Sequence, residues 1–341
     1  KRQLSQGKPP IYDRSGLELD AEKLREYEAE GRQPHWRFKL DHRDINFDDL
    51  VRGPVHFHGS NLSDPVLVRG DCTYLYMLPS AVDDVDMAVT DVIRGEDHVA
   101  NTAVQIQLFE ALGAPPPTFA HTPLLTDISG KGLSKLLGSM TVAYLREDGL
   151  EAMALNSYLA HIGTSDSIVP CISLNALVAD FDISHTGRGT PKFDPEQLKT
   201  LNAALLHVTP IEDVYARLQG LGLQRANADF WSAVRPNLER FDDVILWHKV
   251  CFNVIETVIE DVAFAKSVAD LLPLEPWDDT TWKKWTGEIK EKMGCKGKEL
   301  FLPLRLALSG LDHGPELKML LPLIGRARVL QRLKGKNDGN V

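Results

Sequence analysis

The chain has 341 residues, of which 43% are hydrophobic and 25% are charged, and its formal net charge is −10. These values are typical of a soluble globular protein with two or three domains, and they argue against indiscriminate binding to nucleic acid. No apolar run approaches the roughly 18–20 residues that span a bilayer, and the first ten residues lack the apolar core of a signal peptide. The four cysteines are far apart, without a CxxC pair, so we expect free thiols in a cytoplasmic protein.

The first 75 residues predict one charged helix followed by short antiparallel strands. The helix ends at Gly31, and the strands are alternating runs separated by Gly, Pro, Asn and Asp. His56 and His58 are two residues apart and therefore share one face of a strand. They are candidates for a metal site, but no carboxylate or cysteine stands at a matching spacing, so a structural role is favoured. The helix is "LDAEKLREYEAEG", and the strands are "HWRFKL", "PVHFHG" and "DPVLVR".

The next 50 residues change character. Two strands, "TYLYML" and "MAVTDVIRG", precede the amphipathic helix "ANTAVQIQLFEALG", and the strand "TFAHTPLL" follows it. Continuous apolar strands on either side of a helix predict a buried parallel sheet, which is one half of a doubly wound α/β domain. Ligands of such sheets bind at the carboxyl ends of the strands, so we expect a site near "RGEDH", residues 94–98.

Beyond residue 140 the pattern predicts helices, because apolar residues recur every three or four positions. Aspartate or threonine stands at several predicted starts and glycine at several ends. The longest predicted helical stretch covers residues 242–272. The chain is therefore predicted to be an α/β region followed by an all-α region.

Residues 129–139, "SGKGLSKLLGS", place Lys131 and Lys135 around Ser134 in a glycine-rich loop. Ammonium groups on such a loop suit a polyanion, for example a nucleotide that is losing pyrophosphate. The residue order of a Walker P-loop is absent. An ordinary surface turn remains the alternative, because many turns contain lysine and glycine.

The "RGEDH" segment is a second candidate for chemistry. The guanidinium of Arg94 suits bidentate binding of a carboxylate. Glu96, Asp97 and His98 suggest a metal site, but three adjacent residues at a strand end converge poorly on one ion, so a polar loop is the alternative. Upstream, Tyr76 and Ser80 are about one helical turn apart.

Charge is distributed unevenly along the chain. Residues 283–336 contain 13 Lys and Arg against 5 Asp and Glu, a net charge of +8, so the remainder carries −18. A basic face of this kind suits nucleic-acid phosphates. An ordinary solvated helical surface explains the same charge pattern equally well.

The stretch Ser63–Gly138 contains, in this order, "SDPVL", "AVDD", "VIRGEDH", "EALG", "FAHTPLL" and "GLSK". This ordered set resembles the second half of the catalytic domain of bacterial glutamate–tRNA ligases, which are class I aminoacyl-tRNA synthetases. Later segments, "FDPEQLKTLNA", "LRLALSG" and "LPLIGRARVLQRL", resemble the stem-contacting and anticodon-binding regions of the same family. The resemblance therefore covers nearly the whole chain.

The resemblance implies a fold of α/β plus all-α type. It consists of a partial class I Rossmann-like catalytic core with an inserted α+β acceptor-binding domain, followed by helical stem-contact and anticodon-binding domains. The implied domains are residues 1–75 (acceptor-binding insertion), 76–126 (second half of the catalytic domain), 127–205 (stem contact, beginning with the lysine loop) and 206–341 (anticodon binding).

The resemblance also assigns roles to residues. "GLSK" resembles the KMSKS loop, so Lys135, Ser134 and Lys131 are implied in catalysis, although Gly132 stands where the family has its first motif lysine. The implied ATP contacts are Lys135, Leu133, Asp97 and His98, and the implied glutamate contacts are Tyr76, Ser80 and Arg94. Ser80 stands where relatives carry an amide. The implied tRNA contacts are Lys296, Lys298, Arg305 and Arg326.

The implied reaction is ligation of glutamate to tRNA through glutamyl-adenylate, with ATP and Mg²⁺ as substrate and no zinc, in a cytoplasmic monomer. The partners would be L-glutamate, ATP and the tRNA for glutamate, and charging of the tRNA for glutamine stays open. The segment "HIGT", residues 161–164, mimics the class I HIGH signature but follows the lysine loop, so we interpret it as coincidence. The true HIGH segment and an N-terminal arginine are not found, so we expect the 341 residues alone not to activate glutamate.

Two other functions remain as hypotheses. A non-catalytic tRNA-binding module would bind tRNA without depending on ATP. A small-molecule nucleotidyltransferase with the same α/β half is the second, but such relatives lack a long helical C-terminal region.

Overall fold

The computed structural model describes residues 11–133, 141–278 and 280–335. The described residues form two compact units. The first unit takes its residues from the ranges 1–135, 161–167 and 181–193, and the second takes them from 136–160, 168–180 and 194–341. Ser134 and Lys135 of the predicted lysine loop lie outside the described residues.

The first unit contains strands and helices in alternation. Its strands are β1 (Trp36–Arg37), β2 (Asp44–Asp49), β3 (Gly53–His58), β4 (Val66–Val68), β5 (Asp91–Gly95), β6 (Thr118–Thr122), β7 (Thr126–Asp127) and β8 (Lys192–Phe193). Its helices are α1 (Ala21–Ala29), α2 (Met77–Asp86) and α3 (Val99–Ala111).

A four-stranded sheet in the order β3-β2-β6-β5 forms the centre of this unit. β5 and β6 are parallel, in register from Asp91 opposite Thr118 to Gly95 opposite Thr122, and α3 connects them. This strand–helix–strand unit confirms the predicted parallel pair. β2 pairs in parallel with β6 where Asp49 lies opposite Phe119, and it forms an antiparallel hairpin with β3. The carboxyl ends of β2, β5 and β6 therefore meet at one edge of the sheet.

Helix α3 supplies most of the core beneath the sheet. Its residues from Thr102 to Phe109 are all buried, including the polar Thr102, Gln105 and Gln107. Polar side chains inside a core need hydrogen-bond partners, so these three residues are candidates for a role in hydrogen bonding as well as in packing. The apolar core comprises Leu40, Ile45, Ala81, Ala103, Val104, Ile106, Leu108, Phe109 and Phe119.

Two predictions for this unit are wrong in detail. "TYLYML" is not a strand: Tyr74 forms only an isolated bridge with Val68, and α2 begins at Met77. Pro79 is tolerated there because the first turn of a helix needs no amide hydrogens. The parallel sheet is also not buried throughout, since β5 is an edge strand and Ile93 is 57% exposed.

The second unit is helical. Its helices are α4 (Val142–Glu147), α5 (Ala152–His161, whose last residue belongs to the first unit), α6 (Leu174–Asp180), α7 (Pro195–Val208), α8 (Ile211–Gly220), α9 (Ala228–Val234), α10 (Asp243–Phe252), α11 (Val262–Asp270), α12 (Thr281–Met293), α13 (Lys298–Ser309), α14 (Leu317–Ile324) and α15 (Arg326–Leu333).

Caps explain where several of these helices begin and end. Asp194 accepts the amide of Glu196 at the start of α7, where Pro195 is the first helical residue. Gly294 and Gly310 end α12 and α13 in the left-handed conformation that glycine favours. The shared core of these helices is built on large side chains, among them Trp231, Phe230, Trp285, Leu300, Leu304 and Leu320.

The long helix predicted for residues 242–272 is wrong, because two helices form there. α10 ends at Phe252 and α11 starts at Val262, where the Asp261 carboxylate accepts the amide of Phe264 at 2.9 Å. The intervening residues 254–259 are rich in β-branched side chains, which lose side-chain freedom in a helix. The apolar spacing alone did not reveal the break.

No helix within the described ranges is long and apolar enough to cross a membrane. Across residues 11–133, 141–278 and 280–335, no three His, Cys, Asp or Glu side chains are placed to hold a metal ion. His56 and His58 have local partners instead: their Nδ1 atoms lie 2.8 Å from Asn46 Oδ1 and 2.7 Å from Ser60 Oγ. The four cysteines are free.

Candidate functional site

Arg94 is the centre of a polar cluster at the carboxyl edge of the sheet. It is the fourth residue of β5, and His121 lies directly opposite it on β6. The guanidinium donates from Nε to His121 Nε2 at 3.2 Å, and from Nη2 to Thr102 Oγ1 at 2.7 Å. Nη1 donates to the hydroxyl of Tyr76 at 3.1 Å. Three different elements therefore fix the plane of this guanidinium.

The contacts of Arg94 occupy one edge of the guanidinium and leave another. An arginine has five N–H donors, and Nε with one hydrogen of Nη2 points to His121 and Thr102. With the bond from Nη1 to Tyr76, three of the five N–H groups have a partner; the other two, one on Nη1 and one on Nη2, have none among the described contacts, and the side of the guanidinium that carries them is called the free edge. Tyr76, which accepts from Nη1, is 51% exposed. The free edge has the geometry that binds a carboxylate through two parallel hydrogen bonds.

His121 is paired with a buried carboxylate, that of Asp49, on the side of the ring that faces away from Arg94. Its Nδ1 lies 2.5 Å from Asp49 Oδ2, and both side chains are fully buried. Burial lowers the pKa of His121, with Asp49 opposing that effect. Burial alone would raise the pKa of Asp49. Hydrogen bonds from the amide of Arg52 and from His121 outweigh this effect and hold the pKa of the carboxyl below its usual range. A neutral imidazole thus separates a carboxylate from a guanidinium.

Ser80 lies on the same helix face as Tyr76, as predicted from their spacing, since its amide donates to the carbonyl of Tyr76 at 3.1 Å. Its hydroxyl accepts a hydrogen bond from Nε2 of Gln105 at 2.9 Å. Gln105 is 1% exposed, and its Oε1 has no hydrogen-bond partner among the described residues. Burial raises the pKa of the nearby Asp84, against the influence of Arg94.

Asp97 and His98 follow β5 in a short 3₁₀ turn, Glu96–His98. The imidazole of His98 packs edge-on against Tyr76, with ring centres 5.6 Å apart. Glu96 points elsewhere, to Arg52 at 2.7 Å, so the three adjacent residues do not converge on one ion. His98 therefore joins the Arg94 cluster.

Gly95 allows this turn to approach the chain beyond β6. A Cβ at this position would lie 2.6 Å from Asp97 Oδ1 and 2.8 Å from the side chain of Leu124. Only glycine fits such a close approach without a shift of its neighbours. The residues after β5 and those that lead from β6 into β7 are thus packed together.

The described part of the lysine loop starts as a tight turn after β7. Asp127 Oδ1 accepts the amide of Lys131 at 2.7 Å, and the amide of Asp127 donates to the carbonyl of Lys131 at 2.8 Å. Hydrogen bonds from Ser129 and Lys131 lower the pKa of Asp127. Lys131 is exposed and Leu133 is partly buried. β7, from which the turn leads off, begins four residues after the end of β6, the strand that carries His121.

The predicted tRNA contacts on the helical unit differ in exposure. Lys296 and Lys298 are exposed. Arg305 is half-buried: one nitrogen, Nη2, donates to the carbonyl of Pro315 at 3.0 Å, and burial lowers its pKa. Arg326 donates from Nε to the carbonyl of Pro273 at 3.0 Å. The two lysines are thus accessible charges, whereas the two arginines also hold the backbone.

Arg332 changes the interpretation of the basic segment. It is 2% exposed, and its guanidinium donates to the carbonyls of Leu308, Val250 and Asn253 at 2.6, 2.8 and 3.2 Å. These carbonyls lie near the ends of α13 and α10. One cation of the +8 segment is therefore part of the core and does not face solvent.

The "HIGT" segment lies at a helix end. His161 is the last residue of α5, and Thr164 Oγ1 donates to its carbonyl at 2.7 Å. A nucleotide-binding signature needs the start of a helix, where amide hydrogens and the positive end of the dipole face the ligand. The geometry agrees with the interpretation of this segment as a coincidence.

Sequence reasoning did not select His121, Asp49, Thr102 or Gln105. The available signal was a polar residue inside an apolar element: a histidine in "TFAHT" and polar residues on a buried helix. Their pairing was not visible, because Asp49 and His121 are 72 positions apart.

Comparison with known proteins matches both halves of the chain to described families. Residues 1–200 match "tRNA synthetases class I (E and Q), catalytic domain". Residues 255–336 match "Anticodon binding domain". Both matches agree with the resemblance seen in the motifs.

Similar proteins were found at the level of sequence and of structure. The chain is 57% identical to a glutamate–tRNA ligase of Azospirillum brasilense over 97% of its length and 74% of that protein. It is 53% identical to glutamate–tRNA ligase 2 of a Methylobacterium species over 98% of its length and 75% of that protein. The crystal structure of a glutamate tRNA ligase from Elizabethkingia meningosepticum has the same fold, with a TM-score of 0.76, 22% identity and coverage of 97% and 75%.

These matches confirm the predicted fold class, a class I catalytic region followed by a helical anticodon-binding region. They also confirm the prediction that the chain belongs to a family of enzymes. With a family match over residues 1–200 and relatives above 50% identity along almost its whole length, the chain belongs to the glutamate–tRNA ligases, class I aminoacyl-tRNA synthetases.

Proposed function

We propose that this chain takes part in ATP-dependent ligation of L-glutamate to tRNA through glutamyl-adenylate. In the first step a carboxylate oxygen of glutamate attacks the α-phosphorus of ATP, and pyrophosphate leaves. In the second step a ribose hydroxyl at the tRNA terminus takes the glutamyl group, and AMP leaves. No protein nucleophile is required, so the residues act by positioning and by electrostatics.

The free edge of Arg94 is the observation that carries this proposal. It is a fixed positive charge at the carboxyl edge of a parallel sheet, where ligands of such sheets bind. A carboxylate of glutamate would accept two hydrogen bonds from this edge, beside the hydroxyl of Tyr76. Ser80, with Gln105 behind it, would contact another polar group of the same amino acid.

The nucleotide would lie next to this pocket. Asp97 and His98 follow the same strand as Arg94, and Lys131 lies in the turn after β7. We assign Lys131, Ser134 and Lys135 to the departing pyrophosphate, where ammonium groups stabilise the charge that develops in the transition state. Leu133 would contact the nucleotide base or ribose. Mg²⁺ enters as part of the ATP substrate.

The helical region would bind the tRNA. Lys296 and Lys298 present exposed ammonium groups that suit phosphates, and Arg305 and Arg326 would contribute charge near the same segment of the chain. The proposed domains keep their boundaries: 1–75, 76–126, 127–205 and 206–341. The central sheet takes strands from the first two of them. The protein would act as a cytoplasmic monomer, on the tRNA for glutamate and, as an open extension, on the tRNA for glutamine.

Aminoacylation by the full-length protein tests the proposal. Radiolabelled glutamate should become attached to the tRNA for glutamate only when ATP is present, and an excess of unlabelled aspartate should not compete. Separate reactions with the tRNA for glutamine resolve the second acceptor. Binding of tRNA without any ATP-dependent attachment of glutamate would contradict the proposal and favour a non-catalytic tRNA-binding module.

A further inference from the structure

The hydrogen bonds of His121 determine which of its nitrogens carries the proton. The Nε of Arg94 can only donate, so Nε2 of His121, 3.2 Å away, must accept. The single proton of a neutral imidazole then sits on Nδ1 and is donated to Asp49, 2.5 Å away. Thr102 Oγ1 lies 3.0 Å from Nε2 and accepts a hydrogen bond from Arg94. Because the threonine hydroxyl carries its own hydrogen, its contact with Nε2 does not require a proton on that nitrogen.

Asp49 is held in the orientation that this arrangement needs. Its Oδ1 accepts the amides of Val51 at 3.0 Å, Arg52 at 2.8 Å and His121 at 3.2 Å, which leaves Oδ2 for the imidazole. The carboxylate is 3% exposed. Four hydrogen bonds to the charged form keep it ionised and fixed, so it imposes one tautomer on the ring.

We propose that His121, oriented by Asp49, is a positioning residue that turns the free edge of Arg94 toward the carboxylate of the substrate. His121 does not touch the substrate in this account. Its acceptor nitrogen, with Thr102, holds the edge of the guanidinium formed by Nε and one hydrogen of Nη2, which leaves the free edge for the substrate. The proposal rests on the proposed function, because it assumes that Arg94 binds glutamate.

The Asp49→Asn substitution is the sharpest test. An amide NH₂ facing Nδ1 would force the ring proton onto Nε2, where it opposes the N–H of Arg94; the same substitution at a catalytic triad gives the wrong tautomer. In the full-length protein we expect the KM for glutamate in tRNA-dependent pyrophosphate exchange to rise about 10- to 100-fold, the size of a lost hydrogen bond to a charged group, with the KM for ATP unchanged.

Two variants at His121 separate positioning from packing. His121→Gln keeps an acceptor near the Nε2 position and should restore much of the KM for glutamate, whereas His121→Phe keeps the ring volume and should not. His56→Asn, a change of an exposed histidine on β3, is the matched control and should leave every constant unchanged.

The tautomer can also be measured without any substitution. Nitrogen NMR of the wild-type chain, labelled at histidine, should show His121 neutral with the proton on Nδ1. A proton on Nε2, or a charged ring at neutral pH, overturns the proposal. If Arg94→Ala raises the KM for glutamate while Asp49→Asn and His121→Phe do not, the positioning proposal fails alone. If Arg94→Ala has no effect on that KM, the assigned glutamate site fails instead.

Discussion

The hydroxyl of Tyr76 accepts a hydrogen bond from Nη1 of Arg94 at 3.1 Å, although one residue immediately precedes helix α2 and the other lies on strand β5. The contact joins two sequence segments that the motif comparison had related only by their order along the chain. It also places an aromatic ring beside the free edge of the guanidinium, with the imidazole of His98 packed against it.

Removal of the Tyr76 hydroxyl should weaken glutamate binding more than catalysis. We expect Tyr76→Phe to raise the KM for glutamate by about fivefold, the equivalent of one hydrogen bond of about 1 kcal/mol, with little change in kcat. Tyr74→Phe, which changes an exposed tyrosine two positions away, is the control. Equal effects of the two substitutions would show that Tyr76 does not act through Arg94.

The lysine loop should act on the chemical step. Lys135→Ala in the full-length protein should lower the rate of glutamate activation about 100-fold or more, as for the loss of a group that stabilises transition-state charge, and should leave tRNA affinity within about twofold. Lys131→Ala should give a smaller loss of the same kind. A Lys135→Ala protein with normal pyrophosphate exchange would remove the role assigned to this loop.

Exposed lysines of the helical unit should set the salt dependence of tRNA binding. Replacement of both Lys296 and Lys298 by alanine should reduce the slope of log K against log salt concentration by about 1 to 2, because each lysine neutralises about one phosphate. Lys23→Ala, an exposed lysine of the first unit, is the control. Filter binding between low and moderate salt measures the slope, and an unchanged slope would exclude these two lysines from the interface.

Arg332 should contribute to stability and not to tRNA binding directly. Arg332→Met would leave the carbonyls of Leu308, Val250 and Asn253 without their donor in the core, which we expect to cost about 3 kcal/mol in the free energy of unfolding. Arg328→Met is the matched control, because the described hydrogen bond of Arg328 goes to a single carbonyl, that of Ile324 at the end of the preceding helix α14. Urea denaturation measures both; similar losses for the two variants would contradict the role given to Arg332.

The buried histidine predicts a pH dependence of stability. Burial, with help from Arg94 and Arg52 and against Asp49, keeps the pKa of His121 below its ordinary value of 6.5. The unfolded chain therefore binds more protons than the folded protein as the pH falls through that value, so the free energy of unfolding decreases toward acid. His121→Gln should reduce this decrease, whereas His56→Asn should preserve it. A steeper decrease in the His121→Gln protein would contradict the neutral state of the ring.

Much of the fold could be predicted from local sequence patterns. The strand–helix–strand unit around Arg94 pairs residues 27 positions apart and the spacing of Tyr76 and Ser80 covers one helical turn, and both are confirmed. The hydrogen bond that orients His121, the partner of Arg94, joins residues 72 positions apart, and no periodicity encodes such a pairing. Arg332 was similarly hidden, since a buried arginine and a solvated one look alike in a basic segment.

One of the errors in secondary structure has a local cause and another has a long-range cause. The apolar spacing of residues 242–272 fits one long helix, but the β-branched run after Asn253 and the cap at Asp261 divide it in two. The edge position of β5 could not be read from its apolar composition, because it depends on how many strands pair beyond it.

The KM for glutamate of the Arg94→Gln protein tests the central claim most directly. In tRNA-dependent pyrophosphate exchange by the full-length protein, we expect this constant to rise by about 100-fold or more, as for loss of a charged bidentate contact, while the KM for ATP stays within about twofold. A glutamate KM equal to that of the wild-type protein would contradict the assignment of Arg94 to the carboxylate of the substrate.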